Sequence, residues 1–432
     1  MIRNLTEGPP LRLLFFFALP MVAGNLFQQL YNMVDSMVVG KFVGEDALAA
    51  VGSSFPIVFL AVAVASGLSM GCTVVISQLF GAGKIREMKT TVATALIALG
   101  VLGAAIMVLG QLAAPLLLHL LGTDADIMAD SLAYLQIYFG GALFLFLYNT
   151  LNGIYNALGD SKTPLYFLMV SALGNIGLDL LFVIQFHMGV AGVAWATLIA
   201  QGVCAVASFW VLAVRLRMMP NEQPCQKLPL FSWDAVRRIA RIGLPSMLQQ
   251  SLVSLSMMLM QGLVNSYGKV FVAGYTAATK IDSLAMLPNT NFSNAMSSYT
   301  AQNMGAGKHE RVRQGYRANL LMVVVFSGVI TLLIYLFGEP LLGLFLNAGD
   351  SGSAMSYGLE YMHTVSLFYV LMGFLFVSNG LLRGAGDMGA FTFSSMSNLF
   401  TRVAVAYLLA ALSLGEGANW WSVPMGWAVG SV

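Results

Sequence analysis

The sequence has little charge and few cysteines. Asp, Glu, Lys and Arg make up only 9% of its 432 residues, against about 25% in soluble proteins. A net charge of +2, without a long basic run, excludes a nucleic-acid-binding protein. The three cysteines, Cys72, Cys204 and Cys225, are far apart and form no Cys-x-x-Cys pair. They therefore predict neither a disulfide framework nor a metal site.

Signatures of nucleotide-binding proteins and metalloproteases are also missing. The segments Gln78–Lys84 and Gln302–Lys308 end in Gly-Lys, as a phosphate-binding loop does, but each begins with glutamine where that loop needs glycine. Neither lysine is followed by Ser or Thr, and no His-Glu-x-x-His motif or cysteine–histidine cluster occurs. We therefore expect neither an enzyme nor a cofactor, and any uphill transport must use an ion gradient or the energy of a partner.

Long apolar runs dominate the sequence instead. Hydrophobic residues make up 58% of the chain and the mean hydropathy is +0.78, so too few charged residues are available to cover the apolar surface in water. Apolar runs longer than ~18 residues predict an all-α membrane protein with twelve spans. The last run ends at Val432 after only about ten helical residues, or ~15 Å, which predicts a truncated final helix. The predicted spans are 13–39, 47–77, 91–121, 131–157, 164–186, 189–214, 239–267, 271–300, 318–346, 357–382, 389–413 and an incomplete one from 422.

The distribution of positive charge predicts the orientation of these spans. With the N-terminus in the cytoplasm, seventeen Lys and Arg residues fall in inner segments, and only Lys41 and Lys269 fall in outer loops. The first span follows Arg3 and Arg12, but it is too long for a signal peptide and no cleavage site follows a short apolar core, so we expect it to be retained. The chain is thus predicted to be a multi-pass protein of the cytoplasmic membrane.

The two halves of the chain resemble each other. Three landmarks recur in the same order, with offsets of 225, 224 and 227 residues. This duplication predicts two six-helix lobes, residues 1–214 and 239–432, joined by a cytoplasmic linker at 215–238, with a substrate path between parallel repeats. The aspartate of each Gly-Asp landmark is expected to cap the helix that follows. The landmarks are Pro20 and Pro245, the Gln78 and Gln302 turns, and the Gly-Asp pairs at 159–160 and 386–387.

Two acidic residues in the first half are candidates for ion binding. Gln28, Tyr31 and Asp35 share one face of the first span, and Asn175 and Asp179 share one face of the fifth. A charge at mid-bilayer costs ~2.5–3.5 kcal/mol, and two acids in one apolar pocket cannot both ionise cheaply. We expect Asp35 and Asp179 at similar depth, where they can hold a proton or a small cation. The alternative is a buried structural hydrogen-bonded pair.

The second half lacks this acid pair. If a four-residue gap follows Asp387, Asn398 and Arg402 correspond to Asn175 and Asp179. A base then replaces an acid, so we expect the ion site in the first half only.

Three other residues inside the spans are polar or interrupt the helix. Lys280 and Asp282 are two residues apart and do not face each other, so they are expected to pair across helices or, with Arg402, to line a central cavity. Pro20 removes a helical hydrogen bond in the first span and predicts a bend there.

Together these features resemble the multidrug and toxic compound extrusion (MATE) antiporters, in particular the branch of the DNA-damage-inducible type. The resemblance covers nearly the whole chain. It rests on the twelve-span plan, the duplicated Gln-x-x-Gly-Ala-Gly-Lys turns, Pro20 placed fifteen residues before Asp35, and the pair of Asn175 and Asp179. It implies a V-shaped arrangement of two lobes, alternating access, and coupling to H⁺ or Na⁺ in the N-terminal lobe. By motif position it implies a cation site at Asp35, Asp179, Asn175, Asn152 and Thr197, a substrate pocket at Gln28, Tyr31 and Tyr134, and a hinge at Pro20.

The expected function is therefore export of amphipathic, often cationic drugs by a monomer in the lipid bilayer. Protonation of Asp35 or Asp179 is expected to rearrange the first span at Pro20 and release the drug. A flippase for a lipid-linked precursor is the nearest alternative, but it would need more basic cavity residues than Lys280 and Arg402. A non-transporting scaffold or receptor would be expected to carry a sizeable soluble domain, and transport against a gradient would separate an antiporter from a channel.

Overall fold

The computed structural model describes residues 3–219, 229–346, 352–412 and 416–431, and all regular structure in these ranges is helical. The middle of the predicted linker, with Cys225, and the C-terminal Val432 lie outside the described residues. The α-helices are α1 (Pro10–Phe42), α2 (Glu45–Gly81), α3 (Ile85–Leu120), α4 (Ala125–Gly140), α5 (Ala142–Ala157), α6 (Lys162–Leu180), α7 (Gly189–Met218), α8 (Trp233–Asn265), α9 (Lys269–Gly305), α10 (His309–Gly343), α11 (Gly352–Ser366), α12 (Tyr369–Ala385), α13 (Met388–Ala411) and α14 (Ser422–Ser431). A π-helical turn, Leu181–Gln185, follows α6, and a 3₁₀ helix, Glu416–Trp421, precedes α14.

Long apolar helices confirm the predicted membrane fold. In the described ranges, seven helices are long and apolar enough to cross a membrane, or nine if each of two bent pairs forms one span. The pairs are α4 with α5, bent by 50°, and α11 with α12, bent by 53°. With each pair counted once, the α-helices of these ranges form twelve units, in agreement with the twelve-helix plan.

The two bends are not indicated by the apolar runs 131–157 and 357–382, which each predict one continuous span. Helix α5 begins after Gly141 and α12 after Phe368, and these residues are separated by the 227-residue offset of the Gly-Asp landmarks. In the first half, the pair Gly140-Gly141 weakens the helix locally. Phe368 provides no such local cause, so the shared position of the bends reflects the repeated packing.

Hydrogen bonds between equivalent helices show that the repeat is structural. Ser69 on α2 donates to the backbone carbonyl of Asn149 on α5 at 2.6 Å, and Ser293 on α9 donates to that of Phe376 on α12 at 2.6 Å. The donors are 224 residues apart and the acceptors 227, which are two of the landmark offsets. Ser69 also lies in a Gly-x-Ser-x-Gly sequence, Gly67–Gly71, but inside a continuous helix and not at the strand–helix turn of a hydrolase nucleophile.

Contacts group the helices into two compact units whose limits differ from the predicted lobe boundaries. The first unit is Met1–Asn4 with Ala23–Gln250, and the second is Leu5–Val22 with Ser251–Val432. One division lies inside α1 and the other inside α8. A continuous apolar helix has no compositional signal at the point where its packing partners change, so sequence composition placed the division in the polar linker.

The Gly-Asp landmarks cap helices, as predicted, but in different surroundings. The buried carboxylate of Asp160 accepts the Thr163 N–H at 3.1 Å and pairs with Arg215 at 2.5 Å. The exposed Asp387 accepts the Ala390 N–H at 3.1 Å. Burial raises the pKa of Asp160, but hydrogen bonds to the carboxylate, including those from Thr163 and Arg215, outweigh it and lower the pKa to about 2.

Replacing this carboxylate, Asp160→Asn, should lower the free energy of unfolding by about 2 kcal/mol at neutral pH, because Arg215 loses its partner. The folded pKa lies below the ordinary value of 3.8. The stabilisation is therefore fully present above that value and is lost as the pH falls toward the folded pKa. Thermal unfolding in detergent, from neutral pH down to about 2.5, measures both effects. Asp387→Asn is the matched control and should cost little, because asparagine caps a helix about as well as aspartate; equal losses in the two variants would contradict the argument.

Candidate functional site

A small cavity of about 40 Å³ lies in the first unit between the second part of α1 and helices α5, α6 and α7. Hydroxyl and amide groups share its lining with leucine and alanine side chains. Such a mixture of apolar surface and a few convergent polar groups is typical of a small-molecule site. The lining residues are Gln28, Tyr31, Tyr148, Leu168, Ser171, Ala172, Asn175, Thr197, Ala200 and Gln201.

The structure brings the two predicted acids, Asp35 and Asp179, together. Their carboxyl groups lie within hydrogen-bonding distance of each other. Asp179 is 0% exposed and Asp35 is partly buried. Because a carboxylate has no hydrogen to donate, two carboxyl groups in such contact can share a proton or hold a cation between their oxygens. The π-helical turn Leu181–Gln185 begins two residues after Asp179, and such turns are frequent at functional sites.

Asn175 links the acid pair to α7. In the amide orientation that satisfies both neighbours, its nitrogen donates to Asp35 Oδ1 at 3.0 Å and its oxygen accepts the Thr197 backbone N–H at 3.2 Å. The Thr197 hydroxyl lies 3.3 Å from the same amide. The buried Oδ1 of Asp179 accepts no hydrogen bond from the part of the chain that the structure describes. This oxygen is therefore available to a proton or a small cation.

Asn152 and Tyr134 lie around this cluster. The Asn152 side chain interacts with Tyr148, which lines the cavity. Tyr134 stacks on Tyr138, with ring centroids 6.4 Å apart, and interacts electrostatically with both acids. Both predicted residues therefore belong to the same region of the first unit as the acids.

Sequence reasoning missed three polar lining residues, Tyr148, Ser171 and Gln201. Each lies four residues from a predicted site residue, so helical spacing places it on the same face. The three residues could therefore have been predicted from the four-residue spacing of a helix face.

The residues predicted for a central cavity are not all brought together. In the second unit, the buried Asp282 accepts hydrogen bonds from two tyrosine hydroxyls and interacts electrostatically with Arg402. Lys280 is exposed instead, with its ammonium 5.6 Å from the centre of the Phe345 ring. Lys280 therefore does not join the Asp282 cluster, because side chains two residues apart on a helix point to different faces.

Pro20 lies within α1, which continues from Pro10 to Phe42. The proline has no N–H, so the carbonyl of Phe16 lacks its helical donor. Pro20 lies in the part of α1 that groups with the second unit, whereas Asp35 lies in the part that groups with the first. Its role as a hinge stays a prediction.

Known proteins share both the sequence pattern and the fold. The family model described as MatE matches residues 20–181 and again residues 245–408. The two matches start at the two proline landmarks and therefore follow the internal repeat.

Two curated relatives are from Bacillus subtilis (strain 168). The chain is 33% identical over 385 residues to the probable multidrug resistance protein YpnP, which covers 89% of this chain and 85% of that protein. It is 30% identical over 416 residues to the probable multidrug resistance protein YoeA, with 92% and 87% covered. A solved structure described as the outward-facing conformation of a multidrug resistance MATE family transporter of the MOP superfamily has a TM-score of 0.91. That likeness has 25% identity and covers 99% of this chain and 94% of that chain.

Proposed function

Because the chain belongs to the MATE family of multi-pass multidrug efflux transporters, which are not enzymes, we propose that it exports amphipathic, often cationic drugs in exchange for H⁺ or Na⁺. Multidrug efflux is the general activity of this family. Ion coupling, antiport and the ion site are the parts proposed for this chain.

The contact between Asp35 and Asp179 beside the cavity is the observation that carries the proposal. A buried and a partly buried carboxylate in contact favour a positive ion between them, since their charges repel and are poorly solvated without one. The adjoining cavity is lined by tyrosines, whose ring faces attract organic cations. Drug and coupling ion therefore draw on the same negative charge, so binding of one disfavours the other.

The surrounding polar groups complete the proposed ion site. Asn175 orients the Asp35 carboxyl through its 3.0 Å hydrogen bond, and Thr197 holds the amide in place. Asn152 contributes indirectly, through its interaction with Tyr148. Carboxylate, amide and hydroxyl oxygens are the ligands that hard cations prefer, so the donor set fits Na⁺ as well as a shared proton.

We place the protein in the cytoplasmic membrane with its N-terminus in the cytoplasm. The excess of Lys and Arg on one side of the predicted spans supports this orientation. A monomer is sufficient for the proposal, since the acids and the cavity belong to one unit of one chain.

In the proposed cycle, occupancy of the acid pair sets which side of the membrane the cavity faces. A proton or Na⁺ from outside neutralises Asp35 and Asp179, and α1 then rearranges at Pro20 and releases the drug. The charge change is the switch and the proline-interrupted helix is the element that it biases.

Everted membrane vesicles test the coupling directly. A fluorescent organic cation such as ethidium should accumulate in the lumen when the lumen is acidic or rich in Na⁺ relative to the bath. The gradient that supports uptake identifies the ion, and collapsing that gradient should stop uptake. Vesicles without the protein are the control. Uptake that persists with neither gradient would contradict antiport, and transport of a lipid-linked precursor without drug uptake would favour the flippase.

A further inference from the structure

The positions of the ion site have a different chemistry in the second half. Met260 lies as many residues after Pro245 as Asp35 does after Pro20, and its side chain is buried. Ala406 lies as many residues after Asp387 as Asp179 does after Asp160, and it is also buried. Both acids of the first half are thus replaced by apolar residues.

Arg402 stands at the remaining position of the repeat. Counted from the capping aspartates, it corresponds to Asn175, and it lies as far before the end of its family match as Asn175 does. With the four-residue gap considered above it corresponds to Asp179, one turn away on the same face. In either alignment a permanent cation stands where the first half has an ion-site residue.

An acid from another helix interacts electrostatically with this arginine. Asp282 on α9 is only 6% exposed, and it accepts hydrogen bonds from Tyr369 at 2.5 Å and from Tyr361 at 3.1 Å. Tyr361 packs edge-to-face on Tyr275, with centroids 5.5 Å apart, and both Tyr275 and Asp282 interact electrostatically with Arg402. Tyrosine side chains thus connect the carboxylate to the guanidinium within the second unit.

The cluster also has polar atoms without partners. Arg402 Nε and Asn398 Oδ1 are buried and make no hydrogen bond to the described part of the chain. An added side-chain carbon at Gly426 would lie 2.9 Å from Asn398 Oδ1 and 3.1 Å from Arg402 Cβ. The absence of a side chain at Gly426 thus allows α14 to pack closely against Asn398 and the base of the Arg402 side chain.

We propose that Arg402 is a built-in cation of the second half. It neutralises Asp282 where the first half takes up its coupling ion, so the wild-type chain binds ions in the first half alone. Loss of Arg402 opens a second cation site at Asp282, with tyrosine oxygens as further ligands. The inference deepens the proposed ion coupling and rests on it for the role of the first site.

Purified Arg402→Gln tests the inference with Na⁺ as the probe. In choline chloride this variant should melt several degrees below the wild type, because Asp282 is left buried without a counter-charge. In NaCl at the same ionic strength it should regain most of that loss, and ²²Na⁺ binding should rise by one ion per chain relative to the wild type. Adding Asp282→Asn to Arg402→Gln should abolish the Na⁺ response and restore the Tm. Arg402→Lys and the exposed-cation control Lys280→Gln should behave like the wild type.

Two results would overturn the proposal. One is an Arg402→Gln protein that gains no Na⁺ binding, and the other is a gain that persists when Asp282→Asn is added. If Arg402→Gln does not accumulate in membranes, the double variant decides, since it should accumulate like the wild type and its failure to do so would refute the pairing. The experiment compares Na⁺ binding and Tm between variants at Asp282 and Arg402. It stays informative even if substitutions at Asp35 and Asp179 show that the proposed coupling site is wrong.

Discussion

Asp35→Asn and Asp179→Asn should each reduce coupled drug uptake into vesicles by about 5- to 150-fold, the range that corresponds to a coupling free energy of ~1–3 kcal/mol. Each change keeps the size of the side chain and its capacity for hydrogen bonds, but removes one of the two charges that demand an ion. The remaining carboxylate carries a single charge and no longer shares a proton or cation with a second carboxylate, so a gradient biases the orientation of the cavity much less.

Stability should move in the opposite direction to transport. Asparagine removes a desolvated charge from the site, so both variants should fold at least as well as the wild type. Binding of the drug to the purified variants, measured without a gradient, separates loss of coupling from loss of the pocket. The exposed first-turn acid of α4, Asp126, provides the control Asp126→Asn, which should transport normally. Wild-type uptake in both site variants would remove the acid pair from the mechanism.

Gly380→Val should prevent accumulation of folded protein, with a cost of about 3 kcal/mol or more. A side-chain carbon at Gly380 would overlap the backbone carbonyl oxygen of Ser293, and one at Gly384 would overlap that of Ser297. These glycines are one turn apart on α12 and allow it to approach α9 closely, as small residues do between membrane helices. The clash is with backbone, so it can be relieved only by separating the two helices.

Gly328→Val on α10 is the matched control for this prediction. Nothing lies within 4 Å of an added carbon at Gly328, which is exposed. The same change in side chain and helix propensity should therefore leave expression and Tm close to the wild type. Monodispersity in detergent and thermal unfolding measure both variants, and equal behaviour would contradict the packing argument.

Much of the candidate site follows from helical spacing. Gln28, Tyr31 and Asp35 on one face, and Asn175 and Asp179 on another, are local patterns that identify polar stripes in apolar helices. The contact between the stripes is not local, and the structure supplies it, together with Tyr148 on α5. Lys280 shows the limit of the approach, because proximity in sequence to Asp282 does not place it in the same cluster.

The sequence by itself determined that the protein lies in a membrane, that it is helical, and that its two halves repeat. Those conclusions depend on the composition of the chain and on the recurrence of its landmarks. Lipid accepts few charges and requires every backbone polar group to be satisfied within the helix. Only the tertiary structure decided where α4–α5 and α11–α12 bend, that the units divide inside α1 and α8, and that Asp282 interacts with Arg402. These features arise from packing between helices distant in the chain, which leaves no periodic signal in either helix alone.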